Sequence, residues 1–441
     1  MIARLPAIAV LLAIAATSAG AQEALTLSDA MARARTATPD ARALDAAEQE
    51  AEARVRQARA GYLPTVDVSV GAQRGDQPVF VFGSLLSQRR FTPADFAVDR
   101  LNHPSAVTNV RTAVTAAQPV WDAGLARLRV EQADINRALA AAARSRSTQD
   151  LAVAAAAAFA QVLQFDALQR ASAAGVEAAE SDLARARARR DVGIVTDADV
   201  LAVEVHLADM RERAIATGGD LEVARLTLHQ AIGAPADAQL RLIPPVAAAA
   251  PADADALVRG ALALRPEQAE AGLRERLVDN ARRASRAAFL PQVGLQGGWE
   301  WNGDSLTDQQ SSWVVGAEVR INVFRGFADQ ARIAEAGHAV TRAAAEREAV
   351  ERRIDLEVRT ALARLDAARA RGAAGEAALA QARESQRIVR DRYDTGLASI
   401  TDVLRAAEAA LDAEARAVAA AMDVILERVM LDRAAGRLET R

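Results

Sequence analysis

The sequence predicts a mainly α-helical protein with a small β part, and three observations carry that prediction. Proline is absent from residues 120–234 and 292–441, and both spans are rich in Ala, Arg, Glu, Leu and Gln, which favour helices. Apolar residues recur there at steps of three and four, which is the helical period. A turn with Arg, Gly, Asp and Leu at matched positions occurs at 189–201 and again, 203 residues later, at 392–404. Two copies of one long helical hairpin therefore organise the chain.

Composition excludes several classes of protein. The chain has 441 residues, a formal net charge of −4 and 54 basic residues, all of them arginine. Arginine and acidic residues interleave along the helices, which is typical of a solvated, ion-paired face, and no basic block suggests a nucleic acid partner. Cysteine is absent and the four histidines are isolated, so we expect no disulfide and no metal site. No nucleophile–base set, phosphate loop or cofactor motif is present, and the sequence predicts neither an enzyme nor a cofactor.

The N-terminus has the pattern of a secretory signal peptide. Arg4 supplies positive charge, 7–16 is an apolar stretch too short to span a bilayer, and 19–21 is a small-residue cleavage site. We therefore expect residues 1–21 to be removed and the mature chain to begin at Gln22. No later run of about 20 purely apolar residues occurs, which argues against a transmembrane helix.

The first repeat is predicted to cover residues 22–232. It reads as two short helices, a strand, a Phe- and Pro-rich loop, a second strand and the long hairpin, at 25–38, 40–60, 65–70, 75–107, 109–120 and 121–232. At about 1.5 Å per residue, the first long helix of that hairpin would measure roughly 100 Å. Such a length is unusual for a helix of an ordinary compact domain.

A linker and a second repeat follow. Residues 233–252 hold four prolines and an alanine run, which indicates a linker, and 253–436 repeat the order of the first half before a tail at 437–441. Residues 60–66 match 287–293, an offset of 227, whereas the turns are offset by 203. The first half therefore carries 24 extra residues, and its Phe-rich loop is where we expect them.

The predicted strands alternate between apolar and polar residues. Trp313, Val315 and Val319 face one way, and Glu318 and Arg320 face the other. All four tryptophans lie in or beside the strands, and apolar-out strands of about ten residues with aromatic ends are typical of a transmembrane β-barrel. A half-buried sheet in a soluble domain is the alternative. The signal peptide and the helix length favour the membrane.

Four strands cannot close a barrel by themselves, because about eight are the minimum and open edges cannot face lipid. Several chains must therefore pool their strands. The long hairpins must pool as well, since an Ala-rich amphipathic hairpin buries its apolar stripe only against neighbours. A barrel of strands continued by a barrel of helices is a tube.

Together these features resemble the TolC-like outer-membrane efflux protein family, the outer-membrane factors. The resemblance covers essentially the whole mature chain. It rests on the internal repeat and paired turns, on the strand starts at 61–64 and 288–291, and on the segment 118–124 that enters the first long helix. The second half departs from the family pattern at 322–326, which lacks the proline expected before the helix.

The resemblance implies a homotrimer with a 12-stranded barrel in the outer membrane and an α-barrel in the periplasm. It implies a passive exit duct of a tripartite efflux or type I secretion system. A periplasmic adaptor protein and an inner-membrane pump would dock at the helical turns. The alternative is a periplasmic coiled-coil scaffold or adaptor that never enters the membrane. An adaptor, however, would carry its strands in a compact β-domain and not as two matched pairs between helices.

The residues expected at the entrance and adaptor contact belong to the two turns. They are Arg189, Gly193, Asp199, Arg392, Gly396, Asp402 and Arg405.

Each of these residues also has a structural interpretation. The glycines suit a backbone with positive φ, and the two arginines would interact with the dipole at the ends of their own helices. The functional interpretation of the two arginines is contact between the turns. Asp199 and Asp402 fit the Ser/Thr-x-x-acid capping box. Family ducts can carry two acids one helical turn apart at the second turn. Here the second position is Arg405, so a purely acidic ring is not expected.

Overall fold

The computed structural model describes residues 23–245 and 253–438. The expected signal peptide with Gln22, the linker part 246–252 and the tail part 439–441 lie outside the described residues. The chain divides into two compact units. The hairpin unit comprises Met1–Ala43, Ser147–Leu264 and Ile354–Arg441, and the sheet unit comprises Leu44–Arg146 and Arg265–Arg353.

The helices and strands follow the predicted order with a few additions. They are β1 (Glu23–Leu25), α1 (Leu27–Thr36), α2 (Pro39–Arg59), β2 (Thr65–Gly75), α3 (Pro78–Ser87), α4 (Val98–Asn102), β3 (Val107–Trp121), α5 (Leu125–Asp191), α6 (Asp197–Ile232), β4 (Leu240–Leu242), α7 (Ala254–Leu264), α8 (Pro266–Ala287), β5 (Gln292–Gly303), β6 (Gln309–Arg320), α9 (Ala328–Asp394) and α10 (Ile400–Ala434).

The two long hairpins are confirmed. Helices α5 and α9 have 67 residues each, about 100 Å at 1.5 Å per residue, and their return helices α6 and α10 have 36 and 35 residues. No proline interrupts any of them, so the ladder of backbone hydrogen bonds is unbroken. The predicted class, long helical hairpins plus four strands, is the one observed.

The four strands form one antiparallel sheet in the order β2-β3-β5-β6. Directly paired residues share a face, so the register defines two different surfaces. One row of the apolar face is Val68, Val114, Trp299 and Trp313, and the neighbouring row of the polar face is Ser69, Ala113, Glu300 and Ser312. Within the described chain, β2 and β6 each have a single neighbour, so the sheet has two open edges.

A hydrophobic core holds the hairpin unit. Phe159 of α5 is fully buried, together with Leu25, Leu228 and Ile232 from the elements around it. The sequence analysis missed β1 and β4, a parallel pair of three residues each. Strands this short show no alternation that a period could reveal.

One described helix, α5, contains a stretch long and apolar enough to cross a membrane, although the sequence argued against such a helix. Core helices of soluble proteins meet the same criteria of length and composition. The alanine-rich part of α5 has such a core role, because Ala155, Ala158 and Val162 are buried beside Phe159.

The prediction of a loop over 75–107 was wrong in detail. Strand β2 continues to Gly75, paired with Val107, and the segment between them contains α3, a short 3₁₀ turn and α4. Pro78 stands at the first turn of α3, where its missing N–H costs nothing. The apolar run that follows is too short to show a helical period, so proline and phenylalanine suggested a loop.

Replacing Phe159 tests the core of the hairpin unit. Phe159→Ala should lower the free energy of unfolding by about 3–5 kcal/mol, because a fully buried ring leaves a cavity. The thermal midpoint of the purified protein in detergent measures this loss. Phe159→Leu is the matched control and should lose less. Equal midpoints for both variants and the unchanged protein would show that this cluster does not stabilise the unit.

Candidate functional site

The two helix–helix turns have the same backbone. Gly193 and Gly396 adopt φ of 77° and 79°, the left-handed conformation that favours glycine. The Gly193 and Ile194 amides donate to the Arg190 and Arg189 carbonyls at 2.8 and 2.9 Å. The second turn repeats this pattern with distances of 3.0 and 2.8 Å. Each turn is therefore a Schellman motif, which ends its helix after satisfying the last carbonyls.

Each return helix begins with the predicted capping box. The Thr196 amide donates to Asp199 Oδ2 at 2.8 Å, and the Asp199 amide donates back to Thr196 Oγ1 at 3.2 Å. The Ser399 amide donates to Asp402 Oδ2 at 3.0 Å, and the Asp402 amide donates to Ser399 Oγ at 3.2 Å. Both carboxylates thus close the start of a helix.

The pKa of Asp402 lies below its ordinary value. The main cause is the Ser399 hydroxyl, which donates to the carboxylate at 2.7 Å, followed by the Ser399 backbone N–H. Burial opposes this shift, and the positive charge of Arg405 adds to it. Arg405 itself forms no ion pair with Asp402 in the residues described, so its influence is a field effect and not a contact.

Arg189 connects the two turns, which is the functional one of the two interpretations that its position in the sequence allows. Its guanidinium donates to the Tyr393 carbonyl at 2.8 Å and to the Asp394 carbonyl at 3.1 Å, and it pairs with the Asp394 carboxylate at 3.2 Å. It also stacks over the Tyr393 ring, 4.3 Å from its centroid. Of its two interpretations, the contact between the turns is the one observed, and the contact with the end of its own helix is not. Arg189 caps the end of α9, where the last carbonyls lack intrahelical partners.

No corresponding contact runs from the second turn to the first among the described residues. Arg392 occupies the position in the second turn that Arg189 holds in the first, yet among the described residues its side chain makes no hydrogen bond or ion pair. Of the seven predicted residues, the structure therefore gives Arg189 a role between the turns. It gives the glycines and aspartates roles within their own turns, and it places Arg392 and Arg405 on the surface beside them.

A small apolar cluster lies directly behind the turns, and the sequence analysis missed it. Tyr393 is 7% exposed and packs with Val200 and Val203 of α6 and with Ile400 and Val403 of α10. Tyr393 is the only aromatic residue in the sequence of α9 and α10. Its isolation beside the second turn was the signal in the sequence that could have indicated this cluster. The cluster fastens the first hairpin to the second near their turns.

Ion pairs continue this link further along the hairpins. Asp182 of α5, with 9% of its side chain exposed, accepts from Arg185 of the same helix at 2.9 Å and from Arg390 of α9 at 2.6 Å. Glu408 of α10 lies 3.4 Å from Arg213 and 3.6 Å from His206, both on α6. Side chains this long reach across helices, and no local spacing in the sequence reveals such partners.

The outermost residues of the turns are apolar and exposed. Val192 and Ile194 are each 70% exposed, and Leu397 is 74% exposed. Polar or charged residues would be normal at such a tip, so these three form an apolar surface between the charged helix ends. Residues 23–245 and 253–438 contain no group of three or more His, Cys, Asp or Glu side chains that could hold a metal ion.

Removing the Arg189 guanidinium should loosen the second turn. Hydrogen bonds from a charged donor contribute on the order of 1.5–3 kcal/mol, and the partial exposure of Arg189 places its effect at the lower end, about tenfold in local opening. Arg189→Ala should therefore speed hydrogen exchange of the amides around Gly396. Arg392→Ala is the matched control and should leave those rates unchanged. Equal acceleration in both variants would contradict the asymmetric contact.

Acid should loosen the Asp402 capping box. Because the folded pKa of Asp402 is depressed, its contribution is complete above the unfolded value near pH 4 and is lost as pH falls through the folded pKa. The Ser399 amide should therefore exchange faster below about pH 4, relative to Asp402→Asn at the same pH, and show no such dependence near neutrality. The pKa of Asp29 in the Thr26–Asp29 box is also lowered, mainly by the Thr26 hydroxyl, so this box should respond in the same direction and serves as an internal control. Acid-insensitive protection of Ser399 would refute this assignment.

Comparison with known proteins identifies the family. The model of the outer membrane efflux protein family matches residues 30–234 and 257–437. A comparison with curated protein sequences gave no match.

Solved structures of the same fold include three bacterial membrane proteins. VceC of Vibrio cholerae has 18% identity over 93% of this chain and 96% of its own, with a TM-score of 0.74. A membrane protein of Pseudomonas aeruginosa has 19% identity over 93% of both chains and a TM-score of 0.77. The CmeC outer membrane channel of Campylobacter jejuni has 15% identity over 93% and 86%, with a TM-score of 0.77.

The family match covers both helical hairpins and the four strands of the antiparallel sheet. The chain therefore belongs to the outer membrane efflux protein family, and it is an exit duct of the outer membrane whose long helices lie in the periplasm.

Proposed function

We propose that the duct is a homotrimer in which three four-stranded sheets close one barrel of twelve strands. The support is the pair of open edges at β2 and β6, whose backbone groups need partners wherever lipid surrounds them. The exposed apolar face supports the same arrangement, since Val68, Trp313 and Val315 are each 68–69% exposed. In such a barrel the apolar face contacts outer-membrane lipid and the polar face lines the lumen.

The exposed apolar face of the sheet weighs against a soluble scaffold. A scaffold or adaptor would cover the apolar face of its sheet with a second layer, because exposed apolar patches of this extent favour association. Within the described part of the sheet unit, the residues of that face on the two edge strands are 62–69% exposed: Val66, Val68, Val70, Trp313, Val315 and Val319.

We further propose that the paired turns form the periplasmic entrance. The arrangement around Arg189 supports this role, because one partly exposed side chain at the tips joins the two turns directly in front of the Tyr393 cluster. Such a contact is suited to a gate that opens when a partner displaces it. The partner would be a periplasmic adaptor protein that serves an inner-membrane pump, and the exposed Val192, Ile194 and Leu397 offer it an apolar contact.

The conduit is passive in this proposal. Transport through it needs a continuous polar passage and an energy source elsewhere, which the inner-membrane pump provides. The duct contributes the passage, the seal against lipid and the entrance. The family supports efflux in general, and CmeC, which has a similar fold, is an outer membrane channel.

The entrance is tested by changing the conformation of one turn. Gly396→Val should abolish export, because a β-branched residue at φ near 79° is strained by more than the roughly 1–2 kcal/mol of an ordinary residue. Gly396→Asn is the matched control, since asparagine tolerates the left-handed conformation. Accumulation of a panel of fluorescent efflux dyes is measured in cells whose only copy is the variant.

Both variants should reach the outer-membrane fraction in equal amounts, because the turn lies in the hairpin unit and not in the sheet. We expect Gly396→Asn to keep dye accumulation low and Gly396→Val to raise it to the level of cells without the protein. Normal export by Gly396→Val would show that the turns are not the partner-binding entrance.

A further inference from the structure

The first strand pair carries an extra folded segment at the end away from the long helices. Residues 76–106, the surface insertion, join β2 to β3, whereas five residues, 304–308, join β5 to β6. Helix α2 leads into β2 and β3 leads out towards α5, so the insertion lies at the opposite end of the strands. The sequence repeat predicted extra residues here and gave no reason for them.

The insertion has its own cluster of aromatic side chains. The ring of Phe91 makes edge-on contacts with Phe82 at 4.8 Å and with Phe96 at 5.0 Å between centroids. A capping box joins Thr92 and Asp95, with the Thr92 amide donating to the carboxylate at 2.8 Å. These contacts give the segment a fixed shape, which distinguishes it from a flexible surface loop.

One buried side chain fixes the insertion to the sheet. Gln88 is 3% exposed, and its Nε2 lies 2.9 Å from the Thr108 carbonyl, 2.9 Å from Asn109 Oδ1 and 3.3 Å from the Gly303 carbonyl. Asn109 in turn donates to Asn302 Oδ1 at 3.0 Å. The Gln88 amide thus has acceptors on β3 and at the end of β5, and it attaches the insertion to both strands.

Charged side chains add further contacts at the same end. Arg89 donates to the Ser311 carbonyl on β6 at 3.2 Å. Arg90 pairs with Asp304 at 2.8 Å, in the turn between β5 and β6. The insertion is therefore attached to β3, β5 and β6.

These contacts lie on the polar face of the sheet. Asn109 and Arg111 are two residues apart on β3 and therefore share one face of the sheet. Arg111 pairs with Glu300 of the polar row at 2.7 Å, so that face is the polar one. On β2, Gly75 belongs to the same face as Ser69, and a Cβ at Gly75 would lie 3.7 Å from the Phe80 ring. Helix α3 thus covers the side of the sheet that faces away from the valine and tryptophan surface.

We propose that the surface insertion is a lid over the lumen at the cell-surface end of the duct, and that Gln88 is the residue that holds it in place. The inference rests on the proposed trimeric barrel, in which the polar face lines the lumen. Three lids would then converge on one opening and restrict the size of solutes that pass it. Gln88 acts as a positioning residue, since it touches the sheet and not the cargo.

The experiment uses the absence of native cysteine. Gln88→Cys and Asn109→Cys are combined in the full-length protein, and a short bis-methanethiosulfonate joins the two thiols and is cleaved by reductant. Purified channels are recorded singly in planar bilayers before and after reduction. Neutral polymers of graded size, added to one side at a time, report which sizes enter from the strand end and which from the helical end. Each single variant with the same reagent is a control.

If the insertion is a lid, we expect the two cysteines to cross-link efficiently. We also expect reduction to admit larger polymers from the strand end, while access from the helical end stays the same. Gln88→Ala should show the larger access without any reagent, and the neighbouring exposed Gln77→Ala should not. Failure to cross-link, or unchanged polymer access after complete reduction, overturns the lid. Absence of channels in every preparation, including the unchanged protein, would instead overturn the proposed trimeric duct.

Discussion

The backbone groups along two strand edges are the constraint on which the rest of this structure depends. Strands β2 and β6 each pair on one side only within the described chain, and each open edge is a row of N–H and C=O groups. In water these groups bond to solvent, whereas in lipid each unsatisfied group costs several kcal/mol. In the proposed duct the apolar face, with Val68, Trp299 and Trp313 exposed, contacts lipid, so the edges need further copies of the chain. Membrane insertion and assembly follow from one requirement.

The helical turns show a second consequence of the internal repeat. Both turns have the same Schellman motif and the same capping box, so repetition of sequence reproduces the backbone closely. The side chains around them differ, because Arg189 contacts the second turn while Arg392 makes no corresponding contact among the described residues. In the proposed entrance, loss of the Arg189 contacts would release the second turn without changing the backbone of either hairpin. Such a contact suits an entrance that has to close and open again.

Sequence reasoning predicted the features that have a period or a repeat. The absence of proline gave the long hairpins, alternation gave the polar and apolar faces of the sheet, and spacing gave the capping boxes at Asp199 and Asp402. It missed features that depend on distant partners. For Arg189 it offered a contact between the turns but could not name the partner groups, because the side chain reaches another helix. Gln88 sits after an apolar run whose ten-residue helix is too short to show a period. The three-residue strands β1 and β4 were missed because pairing alone, and no pattern, defines them.

The number of copies in the purified duct tests the central claim most directly. Native mass spectrometry of the detergent-solubilised protein counts chains without assuming a shape. Completion of both strand edges by neighbouring copies predicts a single species of three chains that survives dilution, because strand pairing in the barrel is continuous. A stable monomer that remains folded and soluble without detergent would contradict it, since such a chain would have satisfied its strand edges alone.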